Sequence, residues 1–251
     1  VTSEFLSSAA DIAVSALLPI LFAAVIFAVA AKGPLAARIR ATTGVVGPYF
    51  NAIAIVFGLF AALLANDVWQ KTSEAKRAVV AEAQAVETLA FLARASGVEE
   101  LVIPQLKAYA GAASAENPHS TDVGPVRNTT DKAYLDLLTT ISLAYGLDIA
   151  VRTQMLTTAR ELLRAHGTRL NLANDVTAPI KWIAIMVFGA LTQIALLLVH
   201  VDNTRAMRAA VGLFTVAFSF CLVIFTIFDA PFEMVLSDEP AHSLGTVLRG
   251  L

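Results

Sequence analysis

Four stretches of the chain carry about 17 to 20 residues each without an acidic or basic side chain: residues 12–31, 49–65, 182–199 and 209–228. A helix needs ~20 apolar residues to cross a bilayer. Polar and apolar positions alternate with helical spacing between the second and third stretches. The pattern therefore predicts an all-α integral membrane protein. Its four transmembrane helices fall in two pairs that flank an extramembrane helical domain. The expected divisions are 1–66 (helices 1 and 2), 67–177 (the helical domain), 178–229 (helices 3 and 4) and 230–251 (a short amphipathic tail).

The second stretch has no breaker at its far end. Asn66, Asp67, Val68 and Trp69 lead directly into a segment where Ala75, Val79, Ala83, Val86, Ala90 and Ala93 recur at spacings of three and four. One continuous helix of about 48 residues is predicted, ~70 Å long at the rise of an α-helix. Gly97 ends it. Shorter helices follow over 99–113, 122–145 and 149–171, with Asp148 placed to cap the last. Residues 116–120 read as a loop. Pro19 sits inside the first span, and Pro179 opens the third. Residues 1–11 carry no Lys or Arg, so the first span reads as a retained helix rather than a cleaved signal.

Composition sharpens this picture. Of the 251 residues, 57% are hydrophobic and 15% charged, and the charged ones concentrate in the middle segment and the short connectors. The net charge of −2 gives no basic surface for nucleic acid. The sole cysteine, Cys221, lies within the fourth span, so no intrachain disulfide can form. Lys32, Arg38, Arg40, Arg205 and Arg208 populate the two short connectors. The positive-inside rule then places both connectors in the cytoplasm, with the helical domain and both termini outside. Lys71, Lys76 and Arg77 lie near the opposite side and weigh against this.

Candidate chemistry lies on the spans. Arg208, Gly212, Thr215, Ser219, Thr226, Asp229 and Glu233 share one sector of the fourth helix. In lipid such a stripe needs a polar or protein surface. It can line a pore with hydroxyls that replace part of an ion's hydration. It can equally pack against another helix, where small residues allow close approach. Asn51, Gly58, Ala62, Ala65 and Trp69 make a similar stripe on the second helix, and Thr192 and Gln193 lie mid-way along the third. Asp67 and Asp229 end parallel spans, so they emerge on one membrane face with Glu233 beside them. Repeated around an oligomer, they would form acidic rings that favour cations. Either acid could also be simply solvated at the interface.

Enzyme signatures are absent. His119, His166, His200 and His242 are dispersed, and no phosphate-binding glycine loop or nucleophile elbow occurs. Glu82, Glu87, Glu99 and Glu100 read as solvated helix faces. No metal or cofactor is expected.

The helix exit Asn66-Asp67-Val68-Trp69, the following Glu74-Ala75 and Glu82-Ala83, and the closing Asp229-Ala230-Pro231-Phe232 resemble the bacterial bestrophin-like family. The resemblance extends from about Tyr49 to Ser243. It implies a helical membrane protein that is oligomeric. True bestrophins are pentameric anion channels. Many family members carry Arg at the position of Ala230, so this chain lacks a positive charge there, and no calcium-binding or neck motif is evident.

These readings converge on a homo-oligomeric ion channel, a tetramer or pentamer, leaning to cations. Its partners would be the lipid bilayer, further copies of itself and a permeant inorganic ion. The pore would be lined by Thr215, Ser219, Thr226 and Asn51, with Asp67, Asp229 and Glu233 at its acidic mouth. A non-conducting scaffold or sensor, binding a protein through the helical domain, is the competing expectation.

Overall fold

The computed structural model describes residues 2–32, 39, 47–116, 125–175, 177–236 and 238–251. The expected connector between the first two spans, the loop at 116–120 and the first residues of the helix expected at 122 lie largely outside the described residues. Among the described residues every regular element is helical: α1 Thr2–Lys32, α2 Gly47–Ala95, α3 Glu99–Ala115, α4 Pro125–Leu143, α5 Ile149–Asn174, α6 Pro179–Val199, α7 Thr204–Asp229, α8 Pro231–Met234 and α9 Glu239–Gly250. Four of these regions are long and apolar enough to cross a membrane.

The chain divides into two compact units. One comprises Val1–Gln70 and Val176–Ala230, the other Lys71–Asp175 and Pro231–Leu251. The tail at 231–251 thus packs with the helical domain's residues, where Leu244 and Val247 of α9 are buried against α3.

The helix α2 is 49 residues long and unbroken, as its sequence lacks any stop signal before Gly97. Its end is set by that glycine, at φ +70°. The Val98 amide bonds the Ala93 carbonyl and the Gly97 amide bonds Arg94, which satisfies carbonyls that the helix end leaves open. Gly146, at φ +81°, makes the corresponding bend before α5. Asp148 then caps α5, accepting from the Ala150 amide at 2.8 Å. Asn203 caps α7 through the amides of Arg205 and Ala206, both at 3.1 Å.

In the helical-domain unit, the apolar stripe of α2 (Val86, Leu89, Ala93) meets Val102, Leu106 and Tyr109 of α3, Leu137 and Ile141 of α4, and Met155 and Leu162 of α5. Each fully buried large aliphatic side chain there contributes about 1.5–3 kcal/mol. In the other unit α7 is the central packing partner, in contact with both α1 and α6. The Phe218 ring fits over Gly189 of α6 so closely that any Cβ at that position would overlap it.

Candidate functional site

The polar groups of the apolar unit sort by the direction in which they face. The α7 hydroxyls face inward. Thr215 is 5% exposed. It donates to the Val211 carbonyl at 2.7 Å and accepts from Gln193 Nε2 at 2.9 Å. Gln193 also donates to the Pro19 carbonyl at 3.2 Å, so one amide joins α1, α6 and α7. Thr226 donates to Leu222 O at 3.0 Å and shares a hydrogen bond with Ser15 of α1 at 2.7 Å. Ser219 is buried, and its Oγ, like Gln193 Oε1, has no partner among the described residues.

Asn51 is placed differently. It is exposed on α2, and Ile55, Gly58, Leu59, Ala62, Leu63 and Asn66 continue that exposed face along the helix. A Cβ added at Gly58 would meet nothing within 4 Å. No helix of the same subunit covers this face among the described residues. The exposed residues over 12–31, 182–199 and 209–228 are all apolar, such as Leu21, Leu191 and Leu213. Asn51 is therefore the one exposed polar side chain described within the four expected spans. Asn66 and Gln70, hydrogen-bonded at 3.4 Å, follow at the far end.

Two of the three acids gather at the entrance to α6. Lys181 Nζ bonds the Asp67 carboxylate, and Thr177 Oγ1 donates to Asp229. The Trp69 and Phe228 rings lie together behind them, with centroids 5.6 Å apart. The Lys181–Asp67 pair is 48% and 36% exposed, so it is worth little as a stabilising ion pair. It does, however, set a positive charge against one acid of the expected mouth. Glu233 lies in α8, and its side chain lies outside the described residues.

The helical-domain unit contains a second constellation. Glu82 is not on a solvated face; it is 1% exposed. The reason is its position on α2 opposite α5, where partners are available to replace water. Arg169 Nε donates to Glu82 Oε2 at 2.7 Å, His166 Nδ1 lies 3.0 Å from Oε1, and the Tyr109 hydroxyl donates to Oε1 at 2.9 Å. Burial alone would push the Glu82 carboxyl up. The His166 hydrogen bond and the Arg169 charge outweigh it and hold the group below the ordinary glutamate range. Tyr109 is pushed well above the usual phenol range by burial, reinforced by the Glu82 charge. Glu87, Glu99 and Glu100 are exposed, as the sequence suggests.

Sequence reasoning missed this cluster because its members lie far apart in the chain. One signal was available: Glu82 falls between Val79 and Val86, on the apolar stripe of α2. A charge on such a stripe asks for a buried partner. No group of His, Cys, Asp and Glu suited to a metal occurs among the described residues.

A bestrophin-like domain matches residues 17–240 of the chain. In structure, the chain is similar to a bacterial bestrophin homologue from Klebsiella pneumoniae, crystallised in a mutated form. The TM-score is 0.70 at 15% identity, covering 95% of this chain and 98% of that one. At that identity the likeness speaks for the fold. No curated protein matches the sequence significantly.

Proposed function

The chain belongs to the bestrophin-like family, and on that premise we propose that it assembles with copies of itself into an ion channel in the bacterial inner membrane. The observation that carries this reading is the exposed face of α2. A transmembrane helix whose Asn51 is left uncovered among the described residues needs water or protein beside it, because an unsatisfied amide in lipid is costly. Four spans in one subunit cannot readily enclose a wide path. Four or five copies, with this face of α2 turned to a common axis, provide one. Asn51 and Asn66 would then bracket an apolar stretch of Ile55, Leu59 and Ala62.

Thr215 and Thr226 make their hydrogen bonds inside the subunit, and Ser219 is buried there. Their positions support the helix-packing role for the α7 stripe more than a role in the pore wall. The carboxylates of Asp67 and Asp229 near α6 support a modest cation preference, which Lys181 offsets in part at Asp67. The periplasmic placement of the helical domain rests on the connector charges alone.

Purified protein in planar bilayers tests the reading. Reproducible unitary currents are expected. Asp67→Asn combined with Asp229→Asn lowers cation preference, seen as a shift of the reversal potential in a salt gradient. A protein that never conducts, yet is recovered in a stable complex with another protein, would support the scaffold instead.

A further inference from the structure

The buried cluster around Glu82 is unused by the conduction reading, and its chemistry is incomplete without a proton. Two carboxylates, Glu82 and Glu116, meet one guanidinium, Arg169, and one imidazole, His166. The side chains are 1%, 6%, 0% and 4% exposed, respectively. His166 stands between the acids. Its Nδ1 is 3.0 Å from Glu82 Oε1, and its Nε2 is 3.3 Å from Glu116 Oε2. The Nδ1 contact is a hydrogen bond, whereas the Nε2 contact is a charge contact without hydrogen-bond alignment: neither Nε2 nor Glu116 Oε2 has a hydrogen-bond partner among the described residues. A ring protonated on both nitrogens is attracted to both carboxylates. The doubly protonated ring also balances the charges: two cations against two anions. Without that proton the four side chains carry one buried negative charge in excess among the described residues, which is costly away from water.

The neutral ring has a different partner available. Arg169 Nη2 lies 3.1 Å from Nδ1 and can donate to it. Nδ1 thus faces a carboxylate that wants a proton on it and a guanidinium that wants a lone pair. Arg169 Nη2 has another acceptor in the Ala113 carbonyl at 3.3 Å, so it can yield that place when the ring is charged. The titratable groups facing the ring come from several elements. Glu82 belongs to α2, Tyr109 to α3, Glu116 to the residue after α3, and Arg169 to α5 itself. From α4, Tyr134 stands behind the Tyr109 ring at a centroid distance of 6.3 Å.

We propose that His166 is a proton-binding site whose occupancy ties α2, α5 and the end of α3 together, and that the helical domain loosens at this joint when the proton leaves. The inference is independent of whether the protein conducts, because the joint lies within one unit. The neutral ring keeps one hydrogen bond at Nδ1, to Glu82 or from Arg169, and loses its charge attraction to Glu116. The link to the end of α3 is the one that weakens, since Arg169 still holds Glu82 of α2.

Hydrogen exchange on the full-length protein in lipid nanodiscs tests this, with rates corrected for the chemical effect of pH. Across a series from mildly acidic to mildly alkaline pH, exchange at the end of α3 and around His166 is expected to rise several-fold as the pH is raised. His166→Gln abolishes that rise. Glu116→Gln, which leaves a neutral ring compatible with both neighbours, reduces it, and decides between the outcomes if the glutamine variant at 166 fails to fold. Equal corrected rates across the range in the parent protein would overturn the proposal. So would a full rise in His166→Gln, or an undiminished one in Glu116→Gln.

Discussion

Arg169 is the most completely buried charge in the helical domain, at 0% exposure, and among the described residues the only guanidinium bonded to Glu82. Its Nε–H and Nη2–H groups reach Glu82 and the Ala113 carbonyl, so one side chain links α5 to α2 and α3. Replacing it removes the charge that keeps Glu82 ionised in a dry site. Breaking one side of a buried pair costs about 3–5 kcal/mol. Arg169→Met is expected to lower the thermal midpoint in detergent well beyond the effect of Arg160→Met on the same helix, where Arg160 is exposed. The intact pair also sets an acid limit. The folded Glu82 carboxyl titrates below its unfolded value. Its contribution is therefore complete above the ordinary glutamate range and is lost as pH falls through the lower folded value. Glu82→Gln should flatten the acid limb of a stability profile. A limb unchanged in that variant would place the responsible group elsewhere.

At the scale of elements, much was legible. Uninterrupted apolar length marked the spans, the lack of a breaker marked the 49-residue α2, and Gly97, Asp148 and Pro179 marked ends and starts of helices. These are local signals, carried by backbone preference and periodicity. The direction of a polar stripe is not local. Thr215 and Thr226 have the same spacing whether they meet water at a channel axis or Gln193 and Ser15 in a neighbouring helix, and only tertiary packing separates the two. The Glu82 cluster was hidden for the same reason, since its partners stand 27 to 87 positions away. Packing between α6 and α7 gives a direct test at this scale. The Phe218 ring that covers Gly189 is 2% exposed and pinned between Phe57 and Phe214, at 5.3 and 5.8 Å. It has no room to retreat. Gly189→Ala is expected to destabilise by about 1–3 kcal/mol through overpacking, read as a fall in melting temperature in detergent. Gly58→Ala, where the added methyl meets no atom of its own subunit, should leave the melting of the isolated subunit unharmed. Equal losses at the two glycines would mean that α6 and α7 do not meet as closely as described.

For the whole molecule, the question is which exposed apolar face meets lipid and which meets another copy. The outward faces of α1, α6 and α7 are uniformly apolar over their spans, which suits acyl chains. The face of α2 mixes Asn51, Gly58 and Ala62 with Ile55, Leu59 and Leu63, which suits a protein-lined, partly wet surface. The single native cysteine makes the alternatives separable. In a Cys221→Ser background, Leu59→Cys sits on the 58%-exposed side of α2, Leu64→Cys on its 2%-exposed side, and Leu213→Cys on the 75%-exposed face of α7. Disulfides form only where β-carbons come within about 4 Å. If α2 surrounds a common axis that narrows at its apolar stretch, oxidation should join copies through position 59, with position 64 silent because it is buried in its own subunit. Position 213, facing lipid, should stay monomeric on a non-reducing gel. Cross-linking at 213 with none at 59 would turn the subunit around: α7 would then face its neighbours, and the exposed amide of Asn51 would need another explanation. Because the cross-link reads proximity rather than current, it separates the arrangement of subunits from the question of whether the assembly conducts.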